Sequence, residues 1–265
     1  MFNLKASVKE EHKVILSDGK VLDTENIIIA TGSKVRILPI KGIESNLIIT
    51  STEALDLETV PEELVIIGGG VIGCEFAEIF NSRGSKVTIV EMEDRVIPRM
   101  DKELSESLKY SLSKKGINVL TKKKVSEFKE EGNNILVCIE GEEPIKADLC
   151  LYAIGREANL SGIEDLDIKI DKGSIVVNSK METSIPSIYA VGDVTGGVML
   201  AHAAFKMGEV AASNALGMNK EVDLGALPSC VYTIPEVASV GITEEDARKK
   251  YNVNVVGIKK EDQSF

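Results

Sequence analysis

Residues 64–80, LVIIGGGVIGCEFAEIF, limit the possible folds more than any other stretch of the chain. Leu64–Ile67 is a short apolar run that reads as a buried strand. Gly68, Gly69 and Gly70 follow without a break, and Gly73 comes three positions later. Val71 to Ser82 then carry helical spacing, closed by Gly84 just past the end. A buried strand that turns directly into a helix through bare glycine is the opening of a βαβ unit.

The centre of the chain continues that pattern. Lys86–Val90 reads as a second strand. Asp101 stands where a helix cap belongs, and Leu104, Leu108 and Leu112 recur on one face of the helix behind it. Gly116 ends that helix and Ile117–Leu120 forms a third strand. Val125–Phe128, Asn134–Ile139 and Asp148–Ile154 read as further strands, with a turn at Gly132–Asn133–Asn134. The expectation is an α/β protein: a βαβαβ unit followed by a small β-meander.

The flanks are β-rich. Residues 1–40 carry a tight-turn signal at Ser17–Asp18–Gly19–Lys20 and an apolar run, Asn26–Ala30, expected to be a strand covered on both faces. Ile175–Val177 and Ile188–Val191 read as strands and Ala204–Leu216 as a helix. The last residues begin what reads as another strand–helix–strand series. Three strands end alike, at Ala30–Thr31–Gly32, Ala153–Ile154–Gly155 and Ala190–Val191–Gly192. A glycine at the carboxyl end of a strand lets a ligand approach the backbone, and open α/β sheets bind ligands at that edge.

Gly68, Gly70 and Gly73 match G-x-G-x-x-G in the context that gives the motif meaning, after a strand and opening a helix. Gly68 allows the sharp turn. Gly70 lets a diphosphate lie against the backbone, and Gly73 lets helix and strand pack closely. The first turn of the helix, from Val71 and Ile72 onward, offers free N–H groups and a partial positive charge. Glu91 lies eighteen residues past Gly73, at the end of the second strand. A carboxylate there accepts hydrogen bonds from ribose hydroxyls and repels a 2′-phosphate. Glu93 and Asp94 add acid, with Arg95 as the nearby base, so the pattern favours NAD over NADP.

Charge and composition exclude other classes. The 265 residues carry a net charge of −11, which argues against a general nucleic-acid or anionic-membrane surface. Lys122–Lys123–Lys124 reads as a solvated face beside acids. No apolar run reaches the roughly 18–20 residues of a membrane helix. Cys74, Cys138, Cys150 and Cys230 form no C-x-x-C pair, and no metal-ligand spacing is present. A reduced, cytoplasmic protein is expected.

Taken together, IIIATGS, the glycine loop, VTIVEMEDRVIPRMD, LYAIGREAN, SIYAVGDVTGGVMLAHAAF and PSCVYTIPEVASVG resemble the pyridine-nucleotide disulfide oxidoreductases, and within them the dihydrolipoyl dehydrogenases. The resemblance implies Rossmann-like FAD- and NAD-binding domains in three layers. Residues 1–40 would belong to an FAD-binding domain, 41–157 to an NAD-binding domain, 158–226 to the return of the FAD-binding domain and 227–265 to the start of an α+β dimerisation domain. It implies FAD near Thr31, Gly32, Ser33, Gly192, Asp193, Met199, Leu200, Ala201 and His202, with Asp193 on the ribityl chain. On bland grounds His202 reads as a core or cap histidine. Toward NAD it implies Glu75 on the nicotinamide side, Val125 near the adenine and Gly155 beside the coenzyme, together with Gly68–Gly73 and Glu91.

The family's redox cysteine pair, C-x4-C, and its C-terminal His–Glu pair are not among these residues, so no catalytic residue is assigned. The resemblance therefore implies a central piece of an enzyme that passes hydride from dihydrolipoamide through a disulfide and FAD to NAD+. It also implies a homodimer serving a 2-oxo acid dehydrogenase complex. A related NADH oxidase or mercuric reductase, or a flavin-free NAD-binding module, are the alternatives.

Overall fold

A computed structural model describes residues 1–257. The chain divides into two compact units, one formed by residues 1–58 and 151–227 and the other by residues 59–150 and 228 onward.

The second unit holds the βαβαβ core. Strand Glu63–Ile67 leads into helix Val71–Ser82, strand Lys86–Val90, helix Lys102–Lys114 and strand Asn118–Leu120. The three strands are parallel, in the order in which they occur, with Ile66 opposite Ile89 and Ile89 opposite Val119. Both faces of the sheet are covered, and Leu64, Val65, Ile66, Val87 and Ile89 are almost fully buried. The helices press Phe80, Leu108 and Leu112 onto them. Burial of each such side chain contributes about 1.5–3 kcal/mol, which is why the apolar runs dominate the choice of fold. Gly84 and Gly116 terminate the two helices with φ of 103° and 87°, a backbone conformation that favours glycine.

The meander differs from its sequence reading in one strand. Val125–Glu131 and Asn134–Ile139 pair antiparallel around the expected turn, but the third member is Ile145–Ala147. Leu149–Tyr152 instead lies next to Glu63–Ile67 in the parallel sheet. Asp148 directs it there: its N–H donates to the Glu63 carbonyl, and its Oδ2 accepts the Glu63 N–H. The C-terminal residues also correct the reading. Pro228–Val231 and Val237–Val240 form an antiparallel hairpin, and helix Glu244–Lys250 follows it, giving strand–strand–helix.

In the first unit, Ala6–Glu10, Lys13–Leu16 and Val21–Asp23 form an antiparallel sheet with the expected turn at Asp18–Gly19. Ile27–Ile29 pairs in parallel with Ile188–Ala190. Ile27 and Ile29 are buried but Ile28 is 39% exposed, so this strand is covered on one face, not two. Ser33–Val35 pairs antiparallel with Arg156–Ala158. Helix Ala201–Ala215 starts three residues before its sequence reading and buries Ala203, Met207, Val210 and Ala211. Among the described residues no helix is long and apolar enough to cross a membrane.

Candidate functional site

Each glycine of the loop has its own physical reason. Gly68 has φ of 107° and donates its N–H to the Val90 carbonyl at 2.9 Å, which holds the turn against the second strand. A Cβ on Gly73 would lie 1.9 Å from the Gly68 carbonyl oxygen, so helix and strand can pack only if residue 73 has no side chain. A Cβ on Gly69 would press on Val96 and on the Glu91 side chain at 3.0–3.2 Å. Gly70 is different: nothing lies within 4 Å of a Cβ there. Packing requires Gly73, crowds a side chain at Gly69 and leaves Gly70 open, and the space over Gly70 is the kind that a diphosphate would use. Gly70 is also the N-cap of helix Val71–Ser82 and makes no side-chain cap, so the N–H groups of Val71, Ile72 and Gly73 begin that helix without one.

Glu91 is 8% exposed, and both of its oxygens are engaged. Oε2 accepts the Gly69 N–H at 2.5 Å and Oε1 accepts the Glu93 N–H at 2.7 Å. The carboxylate thus closes the glycine loop onto the end of the second strand, a role that its spacing alone did not reveal. A carboxylate has about four acceptor positions, so it can hold these two donors and a ribose hydroxyl together. The segment after it wraps the loop: Ile97 donates its N–H to the Gly69 carbonyl at 2.7 Å.

Glu75 Oε1 accepts the N–H of Tyr232 at 2.9 Å. Val125 is buried opposite Ile139 in the meander. Cys74, directly after Gly73, points its thiol at the Gly69 carbonyl. Burial, then the charges of Glu91 and Glu75, push that thiol up to about 12, so it is a neutral packing group and not a nucleophile. Lys123 and Lys124 pair with Glu142 and Glu140, as a solvated face would.

The residues assigned to the flavin side lie in the first unit. Thr31–Ser33 and Gly192–Asp193 follow the carboxyl ends of two parallel, hydrogen-bonded strands, where Val191 donates its N–H to the Ile29 carbonyl. The Ser33 hydroxyl donates to Asp193 Oδ2 at 2.6 Å. Arg156 donates from Nε to the Ser33 hydroxyl at 2.7 Å and from Nη2 to the Ser33 carbonyl at 2.8 Å. Thr31 donates to the Asn159 carbonyl, and the Asn159 N–H donates to the carbonyl of Gly32. Sequence reading missed Arg156 and Asn159. Their only signal was their place in LYAIGREAN, since their contacts depend on the pairing of Arg156–Ala158 with Ser33–Val35.

Leu200 is the N-cap of helix Ala201–Ala215 and supplies no side-chain cap; Met199 and Leu200 are half-buried. Ala201 and His202 are exposed on the first turn, so His202 is not a core histidine. Gly155, with φ of 116°, accepts the Arg36 N–H and belongs to this unit, whereas Gly68–Gly73, Glu75, Glu91 and Val125 belong to the other. Gly32 and Gly192 both have φ of 71°, so all three strand-end glycines adopt a backbone that disfavours a side chain.

The sequence pattern of the family described as "Pyridine nucleotide-disulphide oxidoreductase" matches residues 2–208, and that of its dimerisation domain matches residues 227–263. This chain belongs to that family. It is 40% identical over 245 residues to a dihydrolipoyl dehydrogenase of Chlamydia pneumoniae, covering 91% of this chain and 52% of that protein. It is 38% identical over 258 residues to one from Bacillus subtilis, covering 95% and 56%. Among solved structures, it superposes with a TM-score of 0.87 on the HOCl-induced flavoprotein disulfide reductase RclA of Escherichia coli, at 29% identity, covering 94% of this chain and 59% of that one. The chain therefore spans about half the length of the curated relatives it matches. Family membership implies FAD and a pyridine nucleotide as cofactors.

Proposed function

We propose that the chain is the coenzyme-binding part of a flavin-dependent dihydrolipoyl dehydrogenase that uses NAD+. The observation that carries this reading is the loop at Gly68–Gly73: open over Gly70, closed by packing at Gly73, and clamped to a buried carboxylate at Glu91. The backbone at Gly70 and the first N–H groups of the helix would hold the diphosphate, and Glu91 would take a ribose hydroxyl. Glu75, Val125 and Gly155 are assigned to the rest of the coenzyme by family resemblance. Asp193, oriented by Ser33, would accept from a ribityl hydroxyl, and the helix start at Met199–His202 would face the flavin with its N–H groups.

In the parent reaction, the two thiols of dihydrolipoamide lose two electrons and two protons. Hydride ends on NAD+ and one proton in solvent. FAD, when bound, supplies the two-electron relay between them. This chain's residues bind and orient; the disulfide and the acid–base pair that the reaction needs are not among them, so the chain does not turn over dihydrolipoamide unaided. The domain limits at 41–157 and its flanks, a homodimer, service to a 2-oxo acid dehydrogenase complex and a cytoplasmic location belong to the same proposal. Calorimetry with NADH and NADPH tests it: NADH binds in preference, and equal affinity would remove the role of Glu91. Visible flavin absorbance of the purified chain tests the retention of FAD.

A second reading is favoured by the close superposition on a flavoprotein disulfide reductase. The same cradle would then serve a related flavoenzyme acting on another disulfide or acceptor. Dihydrolipoamide oxidation by the longer protein separates the two readings.

A further inference from the structure

The loop that follows Glu91 contains both an acid that suits NAD and, four residues on, an arginine. An arginine near that position is what accommodates the 2′-phosphate of NADP. Which of the two sets the preference depends on whether the guanidinium is available. In the structure it is occupied. Arg95 Nη1 donates to Glu245 Oε1 and Nη2 to Glu245 Oε2, both at 2.8 Å, in a two-pronged pair; Nη2 also reaches the Pro98 carbonyl at 3.4 Å. Its Nε is buried and has no partner among the described residues. Arg95 sits on the coenzyme loop itself, between Glu93, whose N–H donates to Glu91, and Ile97, whose N–H donates to Gly69.

Glu245 comes from the segment that matches the dimerisation domain, on helix Glu244–Lys250. Two other contacts fix that helix. Thr243 caps it by accepting the Asp246 N–H, and Asp101 Oδ1 accepts the Glu244 N–H at 2.6 Å. The helix therefore has an anchor that does not depend on Glu245, while Glu245 itself is half exposed.

We propose that Glu245 is a specificity-determining residue: by holding Arg95 in a bidentate pair, it withholds from a 2′-phosphate the guanidinium that follows Glu91 by four residues on the same loop, so that NAD(H) is preferred over NADP(H). The proposal rests on the coenzyme reading of Gly68–Gly73 and Glu91. The pair has a cost in specificity terms that can be measured, because an arginine released from a carboxylate readily binds a phosphate dianion. Arg99, farther along and exposed, is equally available with or without Glu245 and does not bear on the comparison.

The test is calorimetry on the full 265-residue chain at low ionic strength, where such contacts are least screened. The parent chain, Glu245→Gln, Glu245→Ala and the double variant Arg95→Ala/Glu245→Gln are each titrated with NADH and with NADPH. The expected result is NADPH affinity raised about fivefold to tenfold in both single variants, NADH affinity within about twofold of the parent, and loss of the NADPH gain in the double variant. NADPH affinity unchanged in both single variants while NADH still binds would overturn the proposal. A gain that persists in the double variant would also overturn it, because Arg95 would not be its source. Failure of the parent chain to bind NADH would overturn the coenzyme reading itself, and this proposal with it.

Discussion

The carboxylate of Glu91 accepts the backbone N–H of Gly69 from the neighbouring strand's turn. One side chain holds the glycine loop in place and, on the coenzyme reading proposed above, would also offer an acceptor to a ribose hydroxyl. Glu91→Gln tests both. An amide presents one acceptor oxygen where the carboxylate presents two, so one of the N–H groups of Gly69 and Glu93 loses its partner. Leaving a buried donor unsatisfied costs about 1–3 kcal/mol. The variant should lose about that much unfolding free energy in urea denaturation, with a lower midpoint, and NADH affinity should fall about tenfold or more in calorimetry. A variant as stable as the parent would show that the carboxylate does not hold the loop.

Gly70 and Gly73 should respond in opposite ways to the same substitution. Gly73→Ala puts a methyl group against the Gly68 carbonyl, so the helix must move away from the strand, at about 1–3 kcal/mol by analogy with overpacked cores. Gly70→Ala adds a methyl group in open space at a φ of −72°, which any residue adopts. It should leave the thermal midpoint nearly unchanged and still weaken NADH binding, since the diphosphate would meet the added methyl group. Calorimetry and thermal melts on the two variants separate a packing glycine from a ligand-facing one.

The parts of this fold that could be read in the sequence are those that local chemistry decides. Helix Val71–Ser82 has glycine at both ends, and its limits follow directly. Strand Asn134–Ile139 is bounded by a glycine turn and is equally clear. The misread elements are those decided by distant partners. Leu149–Tyr152 is as apolar as a third meander strand would be, and only the pairing of Asp148 with Glu63 sends it into the parallel sheet. Asp101 occupies a cap position, yet its carboxylate serves the N–H of Glu244 and not its own helix. Helix Ala201–Ala215 starts without a capping side chain, so its first turn gave no local signal. In the candidate site the glycines were legible because their need is steric and local. The clamp on Gly69, the arm of Arg156 and the pair between Arg95 and Glu245 were not, because each joins residues brought together only by the fold.

Arg156 reaches the Ser33 hydroxyl and carbonyl, and that hydroxyl reaches Asp193. The three form a chain in which the serine takes a proton donor on one side and gives its own to the other. Ser33→Ala should disconnect both charged groups and destabilise the first unit by about 1–2 kcal/mol, the cost of two hydrogen bonds to charged partners reduced by partial exposure. Arg156→Lys keeps the charge but not the fork, and should recover only part of the parent stability. Urea denaturation followed by circular dichroism checks the order parent, Arg156→Lys, Ser33→Ala. If Ser33→Ala matched the parent, the relay would carry no stability.

Two buried thiols make the stability of the protein sensitive to alkali. Burial raises Cys74 to about 12, with Glu91 and Glu75 adding to the shift, and burial raises Cys150 further. In the unfolded chain both would ionise near pH 8.5–9. The folded state therefore retains thiol protons that the unfolded state has released, so these two groups lower stability as pH rises from about 9 toward 12 and leave it unchanged below that range. Each thiol contributes a slope of at most about 1.4 kcal/mol per pH unit, so the pair gives at most about 2.8. Urea midpoints measured from pH 7 to 11 should stay level to about pH 8.5 and then drop. Cys74→Ala should remove about half of the slope. A thiol-reactive dye at pH 8 should label Cys138 and Cys230, which are only half-buried, and reach Cys74 and Cys150 only after urea is added. Rapid labelling of all four in the native protein would contradict the burial on which the alkaline slope depends.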